Sequence, residues 1–361
     1  MHHHHDQTPA WLRRLAFIGR RMLRAVLSYV AAVVCMTAVV NASLEKTVMS
    51  QIVEAAQGAV MARGDFDAPE DVAAYKQEVI ESMKRAYGLH LPSLVRIARR
   101  TAQVVSLDLG KSSFYVMKDG ERSYQVKDII ADYLPHTLLL FTSSTLVSAL
   151  VGIGMGMRMA KKPGSLLDHT GTHLTMLLYG TPTWWVASFM VLFFVYVLPV
   201  FRMGQLRSLV QPDGWFLQAL DYLSYILLPL LTLVLVKAWG FAYFTRAMVI
   251  PHLQEDFVMA ARARGLPERR VLRSHGLRVA APGIATLGVQ AFASSLMGDI
   301  LVEKVVARPG LGSALFMALG WNDVPLITGI LAMILAIYCL SYLFLDVFLS
   351  VMDPRISYGR T

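Results

Sequence analysis

Cysteine and charge are both scarce in this chain of 361 residues. Cys35 and Cys339 are its only cysteines and lie in separate apolar runs, so there is no disulfide framework and no cysteine-based metal spacing. Charged residues make up 16% of the chain, whereas a soluble domain carries about 25%. Hydrophobic residues make up 55% and form runs long enough to cross a bilayer. The composition predicts an all-α polytopic membrane protein.

A nucleotide-binding signature is also missing. The stretch Leu107–Ser112 ends like a phosphate-binding loop, but the pattern GxxxxGK[ST] requires glycine at position 105, where this chain has Val105. We find no catalytic residue set and no metal-ligand spacing. We therefore predict that the chain is not an enzyme and binds no cofactor, and that any ATP chemistry lies on another polypeptide.

Six apolar runs predict six transmembrane helices, the third with a kink at Thr181–Trp185. The predicted spans are residues 25–42, 134–157, 173–198, 222–245, 281–302 and 325–351. The net charge of +9 points to the positive-inside rule rather than to nucleic acid. Basic residues are concentrated in segments 1–24, 158–162, 246–280 and 352–361. This distribution places both termini in the cytoplasm and the short loops 199–221 and 303–324 outside.

Residues 43–132 differ from the rest because their acidic and basic residues are nearly balanced. An acid followed by Pro69 predicts a helix start, and Gly88 predicts its end. A second helix is predicted from Ser93 to Val105. We expect these residues to form a small extracytoplasmic domain inserted after the first span.

The stretch Asp256–Gly276, hereafter the docking stretch, is basic and lies between two apolar runs. Phe257, Ala260, Ala261 and Arg264 recur at helical spacing, and Gly265 is expected to end that helix. Small alanines allow another backbone to approach closely, and arginines supply charge-assisted contacts. The pattern indicates a cytoplasmic docking helix whose alanine face meets a partner. The alternative is an ordinary basic loop that only sets topology.

The docking stretch resembles the conserved "EAA" loop of ABC importer permeases of the dipeptide, oligopeptide and nickel type. Four further stretches resemble the same family in the same order: Asp108–Ser112, Asp132–Leu138, Glu303–Gly312 and Asp353–Ile356. Two positions depart from the sequence pattern of the family. Met259 occupies the site of the general consensus glutamate, and Asp299 stands where the family usually has a small apolar residue.

The resemblance implies a type I ABC importer permease fold in the inner or plasma membrane of a prokaryote. Such a permease pairs with a second homologous permease, and each docks its loop helix in a groove of a cytoplasmic ATPase subunit. ATP and magnesium bind those subunits, and an extracytoplasmic solute-binding protein delivers the ligand. The implied ATPase-coupling residues are Glu255, Asp256, Ala260, Ala261, Arg264 and Gly265. Glu255 and Asp256 are also expected to cap the helix.

The apolar runs and the distribution of charge also predict a domain order. It consists of a cytoplasmic N-terminus (1–24), a first transmembrane helix (25–42), an extracytoplasmic domain (43–132), a transmembrane permease core (133–351) with a coupling loop (246–280), and a cytoplasmic tail (352–361).

Four side chains are candidates for the translocation path. Lys237 is a charge at bilayer depth, which costs about 2.5–3.5 kcal/mol on insertion scales, so it should face a partner or a wet path. It could bind a peptide carboxylate, or instead snorkel to the interface or pair across subunits. Asp299 and Glu303 lie near the outer end of the fifth span and could line a gate. Trp184 could shape the path or belong to an interfacial aromatic belt.

Peptide import is the leading function, with nickel complexes, opines or oligosaccharides as alternative substrates. A different class is a membrane sensor or scaffold that uses residues 43–132 to detect a ligand. That class predicts a cytoplasmic output domain, and the tail after Val351 is too short for one. A secondary transporter would show internal repeats, and we find none.

Overall fold

The computed structural model describes residues 10–66, 68–86, 88–112, 125–204, 206, 208 and 212–352. The described part is helical throughout and contains no strand beyond one isolated bridge, Lys111 to Gln125. The all-α prediction is therefore confirmed. The predicted motif Asp353–Ile356 lies outside the described residues.

Thirteen α-helices follow one another in the described residues. They are α1 Ala10–Arg63, α2 Pro69–Ala86, α3 Ser93–Val105, α4 Val126–Lys161, α5 Leu166–Tyr179, α6 Thr183–Val191, α7 Trp215–His252, α8 Asp256–Ala263, α9 Glu268–Val271, α10 Arg278–Ser295, α11 Ile300–Val305, α12 Leu311–Trp321 and α13 Val324–Met352. Two of them continue as π-helical segments, α6 through Leu192–Val197 and α9 through Leu272–Leu277.

Four helical segments in the described part are long and apolar enough to cross a membrane: Ile18–Ala42, Val126–Lys161, Trp215–His252 and Val324–Phe348. A fifth candidate is the pair Leu166–Tyr179 and Thr183–Val197, which is bent by 100° at its break. Pro182 lies at that break, where proline cannot continue the hydrogen-bond ladder. The chain is thus a multi-pass membrane protein, and the count of six spans stays a prediction.

The predicted fifth span, residues 281–302, is not one continuous helix. Helix α10 ends at Ser295, Gly298 has a positive φ of 70°, and α11 begins at Ile300. Polar residues in α10, among them Arg278 and Gln290, lower its hydropathy below that of the other candidate spans. The predicted outer loop 303–324 is also more ordered than expected, because α12 lies within it.

Helix α1 is far longer than the predicted first span. It contains 54 residues, which corresponds to about 81 Å of helix. The composition becomes polar after Ala42, but no proline lies between Ala42 and Gly64. The helix therefore continues to Arg63 and ends at Gly64, which has a φ of 67°. By contrast, the predicted helices around Pro69 and from Ser93 to Val105 are confirmed as α2 and α3.

The described residues fall into two compact units. The first is drawn from Met1–Arg24, Tyr133–Ala314 and Ile337–Thr361. The second is drawn from Ala25–Asp132 and Leu315–Ala336.

Helices α4 and α7 are in backbone contact within the first unit. A Cβ atom added to Gly152 would lie 2.5 Å from the carbonyl oxygen of Ala238, and one added to Gly156 would lie 2.4 Å from that of Ala242. Both positions therefore require glycine. Near the start of α5, the buried carboxylate of Asp168 accepts two hydrogen bonds from the guanidinium of Arg246 on α7.

Candidate functional site

The docking stretch forms a short helix, a turn and a second helix directly after α7. Glu255 occupies the N-cap position of α8, but its side chain makes no capping hydrogen bond. The carboxylate of Glu255 lies 2.6 Å from Nδ1 of His252 instead. Glu255 therefore stands at the predicted cap position, although its side chain bonds His252 rather than a backbone amide of the helix. Asp256 lies in the first turn, where its charge is favourable to the helix dipole.

Gly265 ends this helix through its backbone conformation. Its φ is 77°, which side chains with a Cβ rarely adopt, and no atom lies within 4 Å of where that Cβ would be. The amide of Leu266 then donates to the carbonyl of Ala261, 3.3 Å away. Arg264 is the C-cap residue, and its side chain is exposed. Gly265 thus ends the helix as the sequence predicts.

The two faces of α8 differ sharply. Val258 and Ala261 are 0% and 3% exposed and pack in a core cluster with Val249, Val271 and Leu272. Ala261 therefore faces the chain's own core rather than an approaching partner, contrary to expectation. The outward face consists of the exposed residues Asp256, Met259, Ala260 and Ala263.

An ion pair closes the turn between α8 and α9. Nη2 and Nε of Arg262 donate to the two carboxylate oxygens of Glu268, at 2.9 and 3.2 Å. The Arg262 guanidinium holds the pKa of the Glu268 carboxyl below its usual range. Sequence reasoning missed both residues, although their separation of six across a glycine turn was a usable signal. The buried cluster packs the docking stretch against Val249 of α7 and Ile284 of α10, and the ion pair joins its two helices.

A second candidate region is a cavity of about 440 Å³ between α4, α5, α7 and α10. Its wall is mainly apolar, with Leu233, Phe241 and Leu287 among the lining residues. Lys237 and Asp299 are its two charged lining residues. An apolar pocket with a few converging polar groups is typical of a ligand-binding site.

Lys237 is held in this cavity by α4. Its Nζ donates to Oγ1 of Thr145 at 3.2 Å and lies 5.6 Å from the ring centroid of Phe141. Asp299 caps α11, because its Oδ1 accepts from the amides of Leu301 and Val302, both at 3.1 Å. Two opposite charges thus share one cavity without a direct ion pair in the described part of the chain.

The other two path candidates lie elsewhere. Trp184 is 39% exposed on α6 and does not line the cavity, although its neighbour Thr183 does. Glu303 is 1% exposed and does not line the cavity either. The structure therefore places Lys237 and Asp299 in the wall of one cavity. Trp184 and Glu303 do not line it, although the amide of Glu303 donates to the carbonyl of Asp299 at 3.1 Å.

Glu303 is enclosed by the glycine-containing loop that follows it. Its carboxylate accepts from Oγ1 of Thr137 at 2.7 Å and from the amide of Ser313 at 3.0 Å. A Cβ atom on Gly310 would lie 2.4 Å from this carboxyl group, and one on Gly312 would lie 3.0 Å from Oε2. The glutamate and the Pro-Gly-Leu-Gly motif therefore form one packed element, here called the Glu303 cradle, which comprises Thr137, Glu303 and residues 310–313.

The geometry provides a short helix with an exposed face and a cavity with two charged lining residues. Within the described residues, no group of three metal-type ligands converges.

The sequence matches the family model described as "Binding-protein-dependent transport system inner membrane component" over residues 152–358. It is 28% identical to the oligopeptide transport system permease protein AppB of Bacillus subtilis over 290 residues, which cover 80% of this chain and 87% of AppB. It is 27% identical to a putative peptide transport system permease protein of Brucella abortus, covering 83% of this chain and 89% of the relative. It is 28% identical to OppB of Mycobacterium tuberculosis, covering 78% and 85%.

Proposed function

Since this chain belongs to the family of binding-protein-dependent transport system inner membrane components, we propose that it is the permease subunit of an ATP-driven peptide importer. The observation that carries the proposal is the family match over residues 152–358, which contains the docking stretch and most of the charged cavity. Peptide as the substrate class is taken from the names of the relatives.

The outward face of α8 is the proposed contact with a cytoplasmic ATPase subunit. Asp256, Met259, Ala260 and Ala263 are exposed in this chain, while Val258 and Ala261 fix the helix to the core. Because Val258 and Ala261 pack in one core cluster with Val249 of α7 and Ile284 of α10, a displacement of α8 would act on both of these helices. Closure of the ATPase subunits can then switch the permease pair between two access states, as differential binding to two states requires.

The assembly proposed here contains this chain, a second homologous permease, two ATPase subunits that bind ATP and magnesium, and an extracytoplasmic solute-binding protein. Both termini of this chain lie in the cytoplasm and its residues 43–132 lie outside, because lysine and arginine are concentrated in the segments assigned to the inner side.

Labelling of single cysteines is expected to confirm this orientation. In a variant with Cys35 and Cys339 replaced by alanine, a cysteine at exposed Gln77 should react with an impermeant maleimide in intact cells after outer-membrane permeabilisation. A cysteine at exposed Arg264 should react only after the inner membrane is opened. The reverse pattern would contradict the orientation.

Lys237→Met is expected to impair peptide transport while leaving assembly intact. The side chain lines the cavity with Asp299, and its charge can hold a peptide carboxylate there. We expect an increase in KM for uptake of about tenfold, the value of one charge-assisted contact, with unchanged co-purification of ATPase subunits. Lys237→Arg, which keeps the charge, is the matched control. If the KM for peptide uptake is the same in Lys237→Met as in the wild-type chain, Lys237 has only a structural role.

The function itself is tested by uptake and by co-purification. Cells that lack this chain should lose uptake of labelled short peptides and regain it with the wild-type chain. The affinity-purified chain should bring down an ATPase subunit and a second permease. If the wild-type chain restores uptake of nickel complexes, opines or oligosaccharides but not of peptides, the proposed substrate class is wrong. If no ATPase subunit co-purifies, the proposal of an ATP-driven importer is wrong.

A further inference from the structure

A basic cavity of about 320 Å³ lies within the second unit. Four arginines line it, Arg85 from α2 and Arg96, Arg99 and Arg100 from α3. Asp108 is the one acidic lining residue, and it forms no ion pair with an arginine within the described residues. Leucine, valine and proline side chains complete the wall.

The spacing along α3 produces this concentration of charge. Positions 96, 99, 100 and 103 lie on one helical face, three and four residues apart. Like charges at this spacing repel one another and destabilise the helix. Burial and the neighbouring charge of Arg96 lower the pKa of Arg100 from its usual value. The arrangement therefore has an electrostatic cost that a bound anion would remove.

Arg96 is the buried part of the site, with a side chain 5% exposed. Its Nη2 donates to Oε2 of Glu45 at 2.6 Å and to Oγ of Ser93 at 3.1 Å, and its Nη1 donates to the carbonyl of Leu89 at 3.3 Å. Its buried Nε has no hydrogen-bond partner among the described residues. A buried donor without an acceptor costs free energy, so this one indicates a missing acceptor.

The other three arginines differ from Arg96, because their guanidinium groups have no partner among the described residues. Within the described ranges, the side chains of Arg85, Arg99 and Arg100 form no ion pair or hydrogen bond. Glu45 pairs with Arg96 and Asp108 also lines the cavity, so four guanidinium groups are accompanied by two carboxylates and an excess of positive charge remains. Guanidinium groups bind phosphate oxygens in a planar, two-pronged arrangement.

We propose that this cavity is a binding site for a phosphate group, carried either by an anionic lipid headgroup or by free phosphate. Nε of Arg96 and the guanidinium groups of Arg99 and Arg100 donate to its oxygens, and the apolar wall accommodates the rest of a larger ligand. The site is separate from the Lys237 cavity and does not depend on peptide transport.

The full-length chain is purified into phosphatidylcholine nanodiscs, with or without phosphatidylglycerol. Inorganic phosphate is titrated while the unfolding midpoint is followed, and retained phosphatidylglycerol is measured by native mass spectrometry. If added phosphate raises the unfolding midpoint saturably in nanodiscs of phosphatidylcholine alone, free phosphate is the ligand. Retained phosphatidylglycerol without a phosphate response identifies the lipid headgroup.

Arg100→Gln is the main variant, because Arg100 is only partly buried and the change leaves the contacts of Arg96 in place. We expect it to weaken binding of the responding probe by about tenfold, the value of one charge-assisted contact. Lys127→Gln removes one charge from an exposed position outside the cavity and should leave binding unchanged. Binding of neither probe to the wild-type chain, or equal effects of the two variants, would overturn the proposal.

Discussion

Ala260→Glu is expected to abolish transport while leaving the chain folded and inserted in the membrane. Ala260 lies on the outward face of α8, where no packing within the chain opposes a larger side chain. If this face enters a groove of an ATPase subunit, the glutamate brings bulk and an unpaired charge into that contact. Co-purified ATPase should fall by about tenfold or more, as is typical when a central interface position is disrupted.

Ala261→Glu should fail in a different way, although it changes the neighbouring alanine. Ala261 is 3% exposed and packs with Val258 and Val271. A glutamate there must bury a charge or push α8 away from its core, which costs about 2–4 kcal/mol. We expect a lower unfolding midpoint for Ala261→Glu and an unchanged one for Ala260→Glu, measured on the purified chain.

Ala74→Glu is the matched control, because Ala74 is exposed on α2 and far from the docking stretch in sequence. It should transport like the wild-type chain. If Ala260→Glu also assembles and transports normally, the docking stretch is only a basic loop that sets topology, and the proposed coupling fails.

Gly265→Val tests the same element through its backbone. A φ of 77° is strained for a β-branched residue by about 1–3 kcal/mol, and no neighbouring atom blocks the new side chain. If this variant loses the substrate-stimulated ATPase activity of the assembled transporter, the cause would therefore be the altered backbone at the end of α8. Gly58→Val, at an exposed helical position with open space around it, should leave coupling intact.

Local signals in the sequence were sufficient wherever a helix boundary depends on one residue. Pro69, Gly88 and Gly265 mark ends that the structure retains, because proline and glycine act on their own backbone. Composition was a poorer guide for α1, where the change to polar residues after Ala42 did not end the helix. Pro182 located the break between α5 and α6, but the sequence did not predict the 100° angle of the bend.

The geometry of the candidate site was harder to predict from the sequence, because it depends on contacts between distant segments. The alanine pattern of α8 fits either face, and only the surrounding core shows that Ala261 points inward. The pairing of Arg246 with Asp168 joins residues 78 positions apart. Glu303 was predicted as a candidate for the translocation path, and only its contacts with the distant Thr137 and with Ser313 reveal the packed cradle around it.

Glu303→Ala is expected to lower the stability of the permease rather than to alter its substrate range. Removing the carboxylate leaves the hydroxyl of Thr137 and the amide of Ser313 without their acceptor, in a region where Glu303 itself is 1% exposed. Buried polar groups without partners cost about 1–3 kcal/mol each. The unfolding midpoint of the purified chain should therefore fall by roughly 5–10 °C.

A comparison of substitutions separates this structural role from a role in the path. Gly310→Ala leaves the glutamate in place but puts a Cβ 2.4 Å from its carboxyl group, so it should lower the midpoint in the same way. Gly320→Ala, where no atom lies within 4 Å of the added Cβ, should not. If Glu303 instead contacts the substrate, Glu303→Gln would change the KM for uptake at an unchanged midpoint, and Gly310→Ala would be silent. A lowered midpoint in both Glu303→Ala and Gly310→Ala, with the KM of the remaining transport unchanged, places Glu303 in the scaffold that holds α11 and α12 together.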